Sequence, residues 1–235
     1  MNPITYIEEM SPTYVVEKDN VEAYPPLLAR TSDAPESIYI TTASDPAKIL
    51  DGSSVIAIVG TRHSTVYGQS LAWRIVQHLA RGDDNVAKPV IVSALQSGID
   101  ASVLEACLSL GLRVVAVTGA GPDVIQPTWN LDLARRIAAT PGCALIARFD
   151  PGTTPSVVND IYSLHVVAGL ADTTVVVESM AKGSAMVVAK LSRSYGREVY
   201  AVPGRLKDVT FEGCNILIGK HEARLVYDID EFLVC

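Results

Sequence analysis

Six short runs dominated by Val, Ile and Ala recur between residues 55 and 202, and segments of helix length separate most of them: Val55–Gly60, Pro89–Ser93, Arg113–Thr118, Cys143–Ala147, Thr173–Val177 and Glu198–Val202. Strands this uniformly apolar have no face to offer water, so both faces must be covered. Helical crossovers between parallel strands provide that cover. The pattern predicts helices over Ser70–Leu79, Ala101–Leu110, Leu131–Thr140, Val157–Leu170 and Gly183–Tyr195, with Gly111 stopping the second. The expected architecture is α/β: a Rossmann-like, doubly wound, mostly parallel sheet with helices on both faces. Ligands of such sheets bind at the carboxyl ends of the strands, where the strand order switches. Hydrophobic residues make up 49% of the chain and charged residues 19%, enough to build the core this fold needs.

The first fifty residues differ from the rest. They carry eight acids against three bases, whereas residues 51–235 carry 18 against 16, so most of the net charge of −7 lies in the N-terminal part. Two units are expected: residues 1–50, an extended arm with a short β segment at Ser37–Thr42 that packs on the core, and residues 51–235, the core itself. The paired prolines of Tyr24-Pro25-Pro26-Leu27-Leu28 favour extended chain there. No apolar run approaches the ~18 residues of a membrane span, and the N-terminus lacks the basic and apolar regions of a signal peptide. The expected location is therefore cytoplasmic, with no membrane partner. Cys107, Cys143, Cys214 and Cys235 are scattered and read as buried thiols in a reducing compartment. Neither they nor the four histidines have metal-ligand spacing, so no metal is expected.

The strand ends nominate the site. After Val55–Gly60 the chain turns through Gly60-Thr61-Arg62 into a helix, and a helix N-terminus with free N–H groups attracts anions. Arg62 adds a guanidinium fork suited to phosphate. The alternative for this turn is a tight connection whose arginine only faces solvent. Ser93, Gly119, Gly121, Glu178 and Pro203-Gly204 end the other strands. Glu178 is a candidate general base, ribose ligand or cap of the helix that follows it. No G-x-G-x-x-G follows the first strand, and neither a G-x-x-x-x-G-K-[ST] loop nor a G-x-S-x-G elbow occurs, so no dinucleotide or other cofactor is expected. A mildly acidic body with a local basic pocket excludes broad non-specific polyanion binding and leaves a narrow site of modest affinity.

Nine segments in register resemble the DNA-processing protein A (DprA/Smf) family: YPPLL at 24–28, AIVGTR…YG at 57–68, VSALQSGID at 92–100, GAGPDVIQPTWNLDL at 119–133, PGTTP at 151–155, VVAGL at 166–170, VVVES at 175–179, GREVYAVPG at 196–204 and EGCNILI at 212–218. The resemblance implies a non-catalytic protein that binds single-stranded DNA, protects it, and loads a RecA-type recombinase in natural transformation, working as a homodimer. It places Gly60 and Thr61 backbone and Arg62 on DNA phosphates, with Ser93, Gly119 and Gly121 lining the same pocket. Lys182, before Gly183 and Ser184, is the second source of positive charge. It also implies a core without the N-terminal helical and C-terminal winged-helix domains of many members. Departures from the family pattern accompany these matches. Asp160, Ser163 and His165 stand where the family has an aromatic and two arginines, Leu104 where it has histidine, and Arg148 where it has glutamate. Tyr162 is read either as a replacement stacking face or, on helix grounds, as a buried tyrosine. The competing reading, from the same superfamily, is a phosphoribohydrolase-like (LOG-type) nucleotide-binding protein in which Glu178 assists glycosidic cleavage. Its P-G-G-x-G-T-x-x-E motif is absent here.

Overall fold

The computed structural model of the chain describes residues 5–6, 11–82 and 87–231; Cys235 lies outside them. Its strands are β1 (Thr5–Tyr6), β2 (Thr13–Glu17), β3 (Ser37–Thr41), β4 (Val55–Val59), β5 (Val90–Ala94), β6 (Val114–Thr118), β7 (Val124–Ile125), β8 (Ala144–Ala147), β9 (Thr173–Val176), β10 (Glu198–Ala201) and β11 (Arg224–Leu225). Its α-helices are α1 (Pro26–Ala29), α2 (Val66–Arg81), α3 (Ile99–Leu110), α4 (Leu131–Ala139), α5 (Val157–Leu170), α6 (Ser184–Ser194) and α7 (Glu212–Gly219). Nine strands form one sheet in the order β11-β10-β9-β4-β5-β6-β8-β3-β2. All pairs from β11 to β8 are parallel, and β3 and β2 extend the sheet antiparallel.

The six runs seen in the sequence are the six central strands. Every residue of β4, β5, β6 and β8 is buried, as strands covered on both faces must be. Helices α2, α3 and α4 pack in succession, while α5 packs on β4, β5 and β6 and touches α1 and α6. From β4 the order runs outward through β5, β6 and β8, then returns to the other side of β4 with β9. The switch in strand order therefore falls between β4 and β9.

Two sequence expectations are corrected. Helix α2 begins at Val66 instead of Ser70, because Thr65 caps it: its side chain accepts the Gly68 N–H. The Tyr24–Leu28 stretch is not wholly extended, since Pro26 opens the one-turn helix α1. Proline is compatible with the first helical position, where its missing N–H has no intrahelical partner to lose. Tyr24 fixes this segment by donating from its buried hydroxyl to the Pro35 carbonyl at 2.6 Å. Cys107, Cys143 and Cys214 are buried thiols as expected, and burial pushes all three above the usual thiol range. Among the described residues, no helix is long and apolar enough to cross a membrane.

Leu28 is fully buried, and a Cβ on Gly169 would come within 2.6 Å of its Cδ1, so the glycine in α5 is what lets α1 dock. Leu28→Ala should lower unfolding free energy by about 2–5 kcal/mol in urea titrations. A loss under about 0.5 kcal/mol would show that α1 contributes little to the core.

Candidate functional site

The carboxyl ends of β4 and β9 deliver the two loops at the switch point, 60–65 and 177–183. Glu178 dominates what they build. It is fully buried, and it turns neither to solvent nor to α6, the helix that follows it. Instead its carboxylate meets the N-terminus of α2. The Thr65 N–H donates to both of its oxygens at 3.2 and 3.1 Å, and the Thr65 hydroxyl donates to Oε2 at 3.2 Å. Helix α2 carries glycine at position 68, where any Cβ would collide with Oε2. Partial positive charge at the helix start favours this arrangement. The helix start, expected to attract an external anion, thus faces the protein's own carboxylate.

Three other main-chain donors of the turn are also committed. Gly60 N–H donates to Asp100 Oδ1 at 3.1 Å, Thr61 N–H to the Glu178 carbonyl at 2.8 Å, and His63 N–H to Thr61 Oγ1 at 3.2 Å. The Gly60 and Thr61 N–H groups, expected on a ligand, are thus bonded within the protein. Beneath the turn, burial pushes the Asp100 carboxyl up to about 7, against the opposing pull of the Gly60 N–H and of the Arg62 charge. Asp100, in the first turn of α3, ends the VSALQSGID segment, but sequence reading gave it no role.

The side chains around the opening come from several elements. Arg62 is 46% exposed, and its Nη2 lies 3.2 Å from Asp160 Oδ2 in the first turn of α5. Gln96 Nε2 donates to the other Asp160 oxygen at 3.3 Å. Burial raises the Asp160 carboxyl above its ordinary range, and the facing guanidinium opposes that rise. Gly119 packs directly on Asp160, which a Cβ at that position would displace. Gly121 is buried against the 150–153 loop, its N–H donating to the Thr153 carbonyl at 2.9 Å. Ser93 does not line the opening: it is fully buried and donates to the Ile58 carbonyl at 2.7 Å. Lys182 is exposed on the loop after β9, with no carboxylate partner among the described residues; Gly183 caps α6 and Ser184 begins it. The structure thus brings Arg62 and Gly119 together through Asp160, and places Lys182 on the loop of the neighbouring strand.

The departures from the family pattern also have places. Tyr162 is 48% exposed, correcting the buried alternative, and the Arg148 guanidinium lies 5.1 Å from its ring centroid while donating to its carbonyl at 3.0 Å. Leu104 is fully buried in the core, and His165 lies against Tyr195 and Asp33, at 3.1 and 3.4 Å. Among the described residues no group of three or more His, Cys, Asp or Glu is placed to hold a metal ion.

Residues 15–235 match the model of the DNA recombination-mediator protein A family. Protein Smf of Synechocystis sp. is 29% identical over 221 residues, covering 93% of this chain and 53% of that protein, so the chain spans about half of its length. The structure of DNA processing protein A from Streptococcus pneumoniae superposes with a TM-score of 0.80 at 26% identity, over 92% of this chain and 71% of that one. DNA processing protein A from Helicobacter pylori, whose single-stranded DNA binding mode has been determined, superposes with a TM-score of 0.81 at 23% identity, over 94% of each chain. That second likeness is one of fold.

Asp100 generates a pH prediction. Below an unfolded carboxylate value of about 3.9 both states are protonated and the group contributes nothing. Between there and about 7 the folded state keeps a proton that the unfolded state has released, so stability falls as pH rises through this window. Asp100→Asn keeps an acceptor for the Gly60 N–H and removes the titration. Urea unfolding between about pH 4 and about pH 7 should show wild type losing stability more steeply than the variant, by up to about 1.4 kcal/mol per pH unit. Equal slopes would contradict the assignment.

Proposed function

The chain belongs to the DNA recombination-mediator protein A family, and from that membership we propose that it binds single-stranded DNA through the phosphate backbone, with Arg62 as the central contact. The observation that carries this reading is the position of Arg62: half-exposed at the mouth of the switch point, on a turn whose Gly60, Thr61 and His63 N–H groups bond within the protein. Lys182, exposed on the adjacent loop, is the second phosphate contact, and the Gly183-Ser184 start of α6 supports it. The residues of this site offer charge and no ordered set of base-edge readers, so binding is sequence-tolerant and salt-sensitive. In this reading the protein acts in the cytoplasm without catalysis, as a homodimer that passes its DNA to a RecA-type recombinase. Residues 51–235 carry the binding core, which β2 and β3 extend at one edge of the sheet. A nucleotide-cleaving role draws no support from Glu178, whose carboxylate is enclosed at the start of α2.

Asp160 sets the strength of binding. Arg62 must exchange a carboxylate for a phosphate, so the free energy of the internal pair is subtracted from the contact. Fluorescence anisotropy of a labelled ~30-nucleotide oligo(dT), read across a salt series, tests this directly. Arg62→Ala should weaken binding by about tenfold or more, the scale of a charged hydrogen bond. It should also lower the salt slope by about 0.7 for the lost phosphate contact. Asp160→Asn should instead tighten binding, by up to about fivefold, as expected for releasing a partly exposed ion pair. No binding at low salt, or affinity unchanged in Arg62→Ala, would sink the reading.

A further inference from the structure

A groove of about 360 Å³ opens between α2, α3 and the turn that leads into α4. Trp73 of α2 and Trp129 of that turn both line it, and they are the only two tryptophans in the chain. Both are exposed, Trp73 by 40% and Trp129 by 65%. Large aromatic rings left in water in one groove ask for a partner. Trp129 is not loose: its indole N–H donates to Ser97 Oγ at 3.2 Å, and the next residue, Asn130, is buried with its amide on the Leu95 and Gln96 carbonyls. The ring is therefore presented in a fixed place.

We propose that this groove is a nucleobase subsite, in which an unpaired base of single-stranded DNA stacks on Trp129 and Trp73 while the backbone follows Arg62. The inference rests on the DNA reading above and deepens it. Continuity supports it. Gln96 holds Asp160, the partner of Arg62, and the adjacent Ser97 holds Trp129, so one short loop separates the phosphate contact from the indole. The chemistry of the lining selects a base over other ligands. Glu105 and Asp132 also line the groove, and Arg136 already pairs with both: two nearly parallel bonds to Glu105 at 2.9 and 2.8 Å and one to Asp132 at 3.4 Å. A cationic peptide would find these carboxylates taken, and a phosphate would meet net negative charge. A flat, uncharged base meets neither obstacle, and stacking on aromatic rings tolerates any base identity. Arg74, exposed beside Trp73 and with no carboxylate partner among the described residues, is a further cation for the backbone as it leaves the groove.

Since both tryptophans line the groove, tryptophan emission excited beyond the absorption of the nine tyrosines reports on it. Titration with oligo(dT) of ~30 nucleotides should quench tryptophan emission in parallel with the anisotropy of a labelled copy. An abasic sugar-phosphate strand of the same length should bind more weakly and leave emission nearly unchanged. Trp129→Ala, a surface change, should weaken oligo(dT) binding by about tenfold while leaving the salt slope intact, since stacking releases no counterions. Binding that depends on Arg62 but leaves emission unchanged, with Trp129→Ala indistinguishable from wild type, overturns the subsite and spares the DNA reading. Absence of any anisotropy change overturns both. Quenching by an arginine-rich peptide with none by DNA assigns the groove to a protein partner and also overturns the proposal.

Discussion

The contact between the Glu178 carboxylate and the start of α2 organises the ligand-facing end of the fold. In many doubly wound sheets the helix N-terminus at the switch point is left open for an incoming phosphate. Here an internal carboxylate occupies it, secured by Thr65 and admitted by the missing side chain of Gly68. The same residue's carbonyl binds Thr61 N–H, while Ile99 N–H reaches the Thr61 carbonyl from α3. Gly98, at φ +76°, brings that backbone so close to Thr61 and Arg62 that no Cβ would fit. Gripped from β9 and α3, the 60–65 turn becomes a rigid mount for one exposed arginine.

That mount stands in an unusual electrostatic setting. The chain carries a net charge of −7, and the arginine at its centre is matched by Asp160. Long-range attraction of a polyanion is therefore small, and contact must be local. Asp160 defines the resting geometry of Arg62 and screens it from weaker anions, which exchange for an existing carboxylate only if they offer more. Gln96 on the opposite oxygen keeps Asp160 in place during that exchange.

Much of this fold was legible in the sequence because both-face burial leaves an unmistakable pattern. Runs such as VIAIV and VVAVT admit no half-exposed strand, and their spacing dictates parallel crossovers. The turn after β4 and its arginine were equally visible. What the sequence concealed is where polar groups pair. The bonds from Thr65 to Glu178 join residues 113 apart, and that between Arg62 and Asp160 joins residues 98 apart. A glutamate at a strand end reads the same whether it faces a ligand or a helix start, and only tertiary approach decides. Ser93 misled for the same reason: a hydroxyl at a strand terminus is compatible with a pocket, but here it satisfies the Ile58 carbonyl inside the sheet. The tryptophan groove carried no motif, since Trp73 of α2 and Trp129 of the turn before α4 are brought to one groove only by the successive packing of α2, α3 and α4.

These long-range contacts also fix a sequence of events during biosynthesis. Strand β4 is made early, but its neighbour β9 and the carboxylate of Glu178 leave the ribosome more than a hundred residues later. Until then the N-terminus of α2 has no internal anion, and its free N–H groups stay solvated. Strand β9 adds to the free edge of β4 and β10 follows it, so the switch point closes only after most strands of the sheet have been made. Parallel pairings at this separation form late and slowly. The turn bearing Arg62 is thus among the last places to become rigid, and an incomplete nascent chain presents no finished surface to nucleic acid.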